Sequence, residues 1–122
     1  MHKKFVKYEP IKKYSKVDIE KAVADNNADE LLLLVLSVAL YSDDFEYAEN
    51  FYVQLSIHEH FNVRGNAIQG FGHIARIHGK LNENKVKLII ESASKDKNKI
   101  VRGNAIDAKD DTKQFLNWNF SK

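Results

Sequence analysis

A repeated hexapeptide restricts the fold of this chain more than any other feature. Val63-Arg64-Gly65-Asn66-Ala67-Ile68 returns unchanged as Val101-Arg102-Gly103-Asn104-Ala105-Ile106, 38 residues later. A period of roughly 35–45 residues marks stacked helical hairpins. Each hairpin buries its apolar face only against its neighbours, so the period predicts an elongated all-α array. The same offset sets Phe51-Tyr52 on Ile89-Ile90 and Leu36 on Ile74. The region before the first copy therefore reads as a degenerate repeat. The expected organisation is one domain over 1–122, with about three antiparallel helix pairs. An arm (1–14) and a capping helix (15–27) precede a degenerate repeat (28–61), a repeat (62–97) and a C-terminal repeat (98–122).

Local signals place the helices. Ser15 with Asp18 three residues on is a capping-box-like start, with Asp in place of the usual Glu. Ile19, Ala22 and Val23 supply the apolar face, and Asn26-Asn27 ends the helix. Asp29 opens a second helix to about Tyr41, with two apolar stripes. Leu32, Val35, Leu36, Ala39 and Leu40 form one; Leu31, Leu34, Val38 and Tyr41 form the other. Two stripes predict a helix sandwiched between neighbours. Ala48, Phe51, Tyr52 and Leu55 mark a third helix ending near His58. Asn62 and Asn98 read as caps of the helices carrying the hexapeptide. Gly70 and Gly72 lie inside the first of these, each costing about 1 kcal/mol relative to alanine. Close approach of a neighbouring helix is the expected compensation. Gly79 fits a left-handed stop, and Val86, Ile89, Ile90 and Ala93 mark the partner helix. Asp110-Asp111 reads as the start of a last short helix burying Phe115, Leu116 and Trp118.

Composition narrows the function classes. Cysteine is absent, which excludes disulfides and thiolate metal sites. No apolar run approaches the roughly 18 residues of a membrane span, and no leader-like stretch follows Met1, so a cytoplasmic protein is expected. The net charge of +2 hides segregation. Six lysines, Lys3, Lys4, Lys7, Lys12, Lys13 and Lys16, face only Glu9 before residue 17. From Val17 to Asn50, nine acids face Lys21 alone. The part from Lys80 onward is basic again.

No catalytic constellation emerges. There is no nucleophile elbow and no phosphate-binding glycine loop. His58-Glu59-His60 looks like a metal tripeptide, but residues two apart on a helix point to different sides. His73 and His78 are five apart, also poor for shared ligation. Asp107, Asp110 and Asp111 lack the calcium-loop pattern, and Asp110 and Asp111 read as a cap and a first-turn acid. No catalytic residue, metal or cofactor is expected. Arg64 and Arg102 oppose the macrodipole in their helix first turns. The expected offset is a ladder between repeats, with Asp96 or Asp107 as carboxylate partners. Asn66 and Asn104 are expected to hydrogen-bond between repeats.

These motifs carry a resemblance. Asp96 followed by Val101-Arg102-Gly103-Asn104-Ala105 resembles the Asp, Val-Arg and Ala spacing of HEAT-like repeats. Asn62 to Ala67, with Gly72-His73-Ile74 after it, resembles the same element without the upstream Asp. The resemblance spans roughly Asp29 to Trp118 and implies a short HEAT-like α-solenoid. The whole chain, with its Gly70 to Gly79 run, is also similar to small bacterial immunity proteins of toxin–immunity systems of the contact-dependent inhibition type. That likeness implies a non-catalytic protein-binding monomer. Its partner would be a secreted toxin domain, plausibly a nuclease and basic because it grips phosphate.

An acidic surface is the matching feature in this chain. Asp25, Asp29, Glu30, Asp43, Asp44, Glu46 and Tyr47 are the expected contact residues, since carboxylates raise association with a basic partner. Two other readings remain. A nucleic-acid-binding helical repeat would use the arm and C-terminal lysines, but the acidic block would repel phosphate. A lyase-like HEAT enzyme subunit would need a catalytic cluster.

Overall fold

The computed structural model describes residues 11–120; positions 1–10 and 121–122, including Lys3, Lys4 and Lys7 of the expected arm, lie outside the described residues. Among the described residues every regular element is a helix: α1 (Lys16–Asp25), α2 (Ala28–Tyr41), α3 (Phe45–Leu55), α4 (Phe61–His78), α5 (Glu83–Ala93) and α6 (Lys99–Leu116). The period of the sequence is the period of the structure. α3 and α5 are both 11 residues long and α4 and α6 both 18, each pair offset by 38 residues. The caps repeat too. Ser56 and Ser94 close α3 and α5, each hydroxyl donating to a carbonyl three residues back. Gly79 and Asn117 close α4 and α6 in the left-handed conformation.

α4 is the axis of the array. It packs against α2, α3, α5 and α6, and Val63, Ala67, Ile68, Phe71 and Ile74 on it are fully buried. Its glycines permit this crowding. A Cβ on Gly70 would lie 2.5 Å from Cε1 of Tyr52 in α3. A Cβ on Gly65 or Gly72 would collide with Asn104 or Asp111 of α6. The close approach expected around Gly70 and Gly72 is therefore present. Tyr52 anchors the centre edge-on to Phe51 and Phe71, with ring centroids 5.3 and 6.2 Å away. Its hydroxyl donates to the Val35 carbonyl, so the buried phenol keeps a partner. At the N-terminal end, Ser37 and Tyr41 donate to the Lys12 and Ile11 carbonyls at 2.7 and 2.8 Å, tying residues 11–14 along α2.

Several local expectations require correction. His60, not Asn62, caps α4, its Nδ1 accepting from the Asn62 N–H at 3.2 Å. Asn27, not Asp29, caps α2. No helix starts at Asp110-Asp111. α6 runs unbroken through both, because Asn98 already caps it and no proline or glycine follows Gly103. The third pair is thus a single long helix followed by a short tail, and Phe115 is exposed while Trp118 is buried. α2 is not sandwiched on both sides. Leu36 and Leu40 stand 37% and 42% exposed, because α1 and residues 11–14 cover only part of its outer side.

Candidate functional site

One edge of the array is built by the loops before α2, α4 and α6. Here Arg64 grips Asp96 through two parallel hydrogen bonds, Nε to Oδ2 at 2.8 Å and Nη2 to Oδ1 at 3.0 Å. The side chains are only 13% and 16% exposed. Such a bidentate pair fixes geometry as well as charge. The Arg64 bond holds the Asp96 carboxyl below its ordinary range, helped by the Asn98 N–H and opposed by burial. The same bond pushes the Arg64 guanidinium further up. Arg64 Nη1 also donates to the His58 carbonyl at 3.0 Å, joining the loop to its own helix.

The offset of 38 residues explains the neighbouring contacts. Asn26 and His58 stand one repeat before Arg64 and Asp96, and they pair as well, Asn26 Oδ1 lying 2.6 Å from His58 Nε2. His58 Nδ1 accepts from the His60 N–H at 3.0 Å, so Nε2 carries the proton given to Asn26. Arg102, one repeat after Arg64, donates to the Asp96 carbonyl at 2.7 Å, as Arg64 does to His58. It reaches no carboxylate among the described residues. The expectation that Arg102 belongs to a carboxylate rung is corrected accordingly. The amides do not link repeats by hydrogen bonds either. Asn66 donates to the Asn62 carbonyl one turn back within α4 at 2.7 Å, and Asn104 fills the space over Gly65. Asp107 accepts from Gln69 at 3.3 Å, not from an arginine.

The acidic residues fall into two groups at the ends of α2. Asp25, Asp29 and Glu30 sit where α1 turns into α2; Asp43, Asp44 and Glu46 sit where α2 turns into α3. A helix of this length sets the groups about 20 Å apart. All six are exposed, and none is in an ion pair among the described residues. Glu49 does not belong to this surface. It is 4% exposed, accepts from the Asn82 N–H at 2.6 Å and faces the Lys85 ammonium at 4.0 Å. It thereby ties α3 to the start of α5.

An apolar stripe bridges the two groups. Asp29, Leu33, Leu36 and Leu40 follow the spacing of one helical face, with Asp43 just beyond, and Leu33 is 64% exposed. This acid–leucine–acid line is the feature that sequence reasoning missed. Its signal was present as the i, i+3, i+7 spacing, but Leu36 and Leu40 were assigned to the core. Beside the second group lies a cleft of about 280 Å³ lined by Tyr14, Ile19, Tyr41, Asp44 and Tyr47 among others. The Lys16 ammonium stands 4.8 Å from the Tyr47 ring centroid. Burial, then Glu20, pushes the Tyr47 phenol above its ordinary range. Asp44 Oδ1 accepts from the Glu46 and Tyr47 N–H groups at 3.0 and 3.2 Å, so its carboxylate is a helix cap as well as a surface charge.

The arrangement offers a surface for recognition. Among the described residues no group of three metal-ligating side chains converges, and His58 and His60 are occupied by loop hydrogen bonds. No helix among them is long and apolar enough to cross a membrane.

No protein-family model matches the chain, and no curated protein matches it significantly. A solved structure does. The chain superposes on a chain in the crystal structure of a CDI complex from Cupriavidus taiwanensis LMG 19424, with a TM-score of 0.76 and 26% sequence identity. The match covers 91% of this chain and 98% of that one. The resemblance read from the sequence thus has a structural counterpart: this chain shares its fold, nearly end to end, with a component of a CDI complex.

Proposed function

We propose that this protein is an immunity protein of a contact-dependent inhibition system, a non-catalytic HEAT-like module that binds and neutralises a toxin domain. The carrying observation is the likeness to a chain of a CDI complex over nearly the full length of both chains. The proposed contact face is the outer side of α2. The leucines supply apolar area at its centre, and the carboxylates at both ends, which form no ion pair among the described residues, steer a basic partner toward it. A basic nuclease fits this face best, because an enzyme that grips phosphate must present cations around its active site. Covering those cations would occlude the catalytic groove. On this reading the protein acts as a monomer in the cytoplasm of the cell that it protects.

The direct test is co-expression with the toxin domain that this reading expects to be encoded beside the gene. The reading expects survival of cells carrying both and a stable one-to-one complex after purification. Leu33→Asp should abolish protection while leaving the fold unchanged, since Leu33 is 64% exposed. Death of the co-expressing cells, with the protein folded and abundant, refutes the reading.

A further inference from the structure

The two copies of the hexapeptide meet different surroundings. In α4, Gly65 is buried against Asn104 and Val101 of α6, and Ile68 is 0% exposed. In α6 the same residues are bare. Among the described residues nothing lies within 4 Å of a Cβ built on Gly103, and Ile106 is 57% exposed. Arg64 has its aspartate, whereas Arg102 has only a backbone carbonyl among the described residues. Residues 117–120 do not fill the gap, because Phe120 sits by α5 and α6 near the Lys87 and Lys109 ammonium groups. α6 therefore presents the surface by which α4 receives its neighbour, and presents it open.

One position decides what can be received. Seven residues after the glycine, α4 has Gly72, which makes room for Asp111 of α6. In α6 the corresponding residue is Asp110, which is exposed. A second copy of α6 stacked in the same register would set Asp111 against Asp110, a like-charge contact. The open face thus runs from a cation at Arg102, past the exposed Ile106 and Asp107, to an anion at Asp110 about 12 Å further along the helix. Asp107 stands where α4 has Gln69, the residue that donates to Asp107 of α6.

We propose that the outer face of α6 is a docking site for a helix of a partner protein with the opposite polarity. That helix has a carboxylate in the loop before it, to pair with Arg102. A small or apolar side chain lies over Gly103 and Ile106, a hydrogen-bond donor meets Asp107, and a lysine or arginine two turns on meets Asp110. The surface is separate from α2 and stands whether or not the α2 face binds a toxin. The charge order excludes a second copy of this chain as the fitted occupant.

The probe is a labelled peptide of residues 96–116 carrying Asp107→Gln and Asp111→Lys, titrated into the full chain. It supplies the Asp96 loop that α4 already accepts, an amide for Asp107 and a lysine for Asp110. Saturable one-to-one binding is expected, and the same peptide with aspartate restored at 111 should bind about tenfold more weakly, the scale of one charge-assisted contact. Gly103→Trp and Arg102→Glu in the protein should each weaken binding by about tenfold or more. Among the described residues nothing packs over Gly103, and Arg102 gives up one exposed hydrogen bond to the Asp96 carbonyl; a thermal melt of each variant checks that the fold is kept. Absence of binding by the lysine peptide overturns the proposal. So does equal binding to wild type and to Gly103→Trp, which would mean that the peptide displaces α6 from α4. Dimerisation of the protein alone that Gly103→Trp abolishes would also overturn it, in favour of a second copy.

Discussion

Gly70 and Gly103 show how one residue type is used for opposite reasons. Gly70 is required by the Tyr52 ring stacked on it, whereas among the described residues nothing lies within 4 Å of a Cβ on Gly103. Gly70→Ala should lower stability by about 1–3 kcal/mol, overpacking outweighing the gain in helix propensity. Gly103→Ala should raise it by up to about 1 kcal/mol. Denaturant midpoints of the two variants should therefore move in opposite directions. The twin arginines separate likewise. Arg64→Ala leaves Asp96 unpaired and should cost about 1–3 kcal/mol, while Arg102→Ala should stay within about 0.5 kcal/mol of wild type. Acid should expose the same rung. The folded Asp96 carboxyl titrates below the ordinary 3.8, so its stabilisation is present above that pH and is lost as pH falls through the folded value. Asp96→Asn should thus be less stable than wild type at pH 7 and lose less stability on acidification to pH 3. Parallel losses in both proteins would detach acid sensitivity from this pair.

At the scale of helices, the repeat was legible because identical residues at a fixed offset need no structural knowledge to be seen. The need for a carboxylate beside a first-turn arginine was legible too, but it left Asp96 and Asp107 as equal candidates, and only the packing of α4 against α6 assigns Asp96 to Arg64. What was not legible depends on how many neighbours a helix has. The leucines of α2 read equally well as a sandwiched helix or as one with an exposed side, and only the partial cover over α2 decides between them. Charge counting failed for Glu49, because a carboxylate that ties two helices contributes to the same tally as one in water. The structure makes Glu49 a link between α3 and α5. Glu49→Ala leaves the Asn82 N–H without its acceptor and should cost about 1–3 kcal/mol, with hydrogen exchange rising first at the start of α5. Asp110-Asp111 misled because paired aspartates mark helix starts in sequence, yet here they lie on α6, one exposed and one against Gly72.

At the scale of the whole molecule, the array offers two surfaces of different character. Among the described residues, α2 presents leucines between exposed acids that form no ion pair, and α6 presents an open stacking face. Recognition of a basic toxin by the α2 face is the central claim, and its signature is electrostatic. Asp43→Asn, Asp44→Asn and Glu46→Gln together remove charge while keeping a capping oxygen at position 44. The decisive measurement is the association rate of this triple variant with the toxin domain at two salt concentrations. The account predicts association slowed by about tenfold or more at low salt, with a flattened salt dependence and little change in dissociation. An unchanged rate and an unchanged salt slope, with full protection of cells, would contradict it.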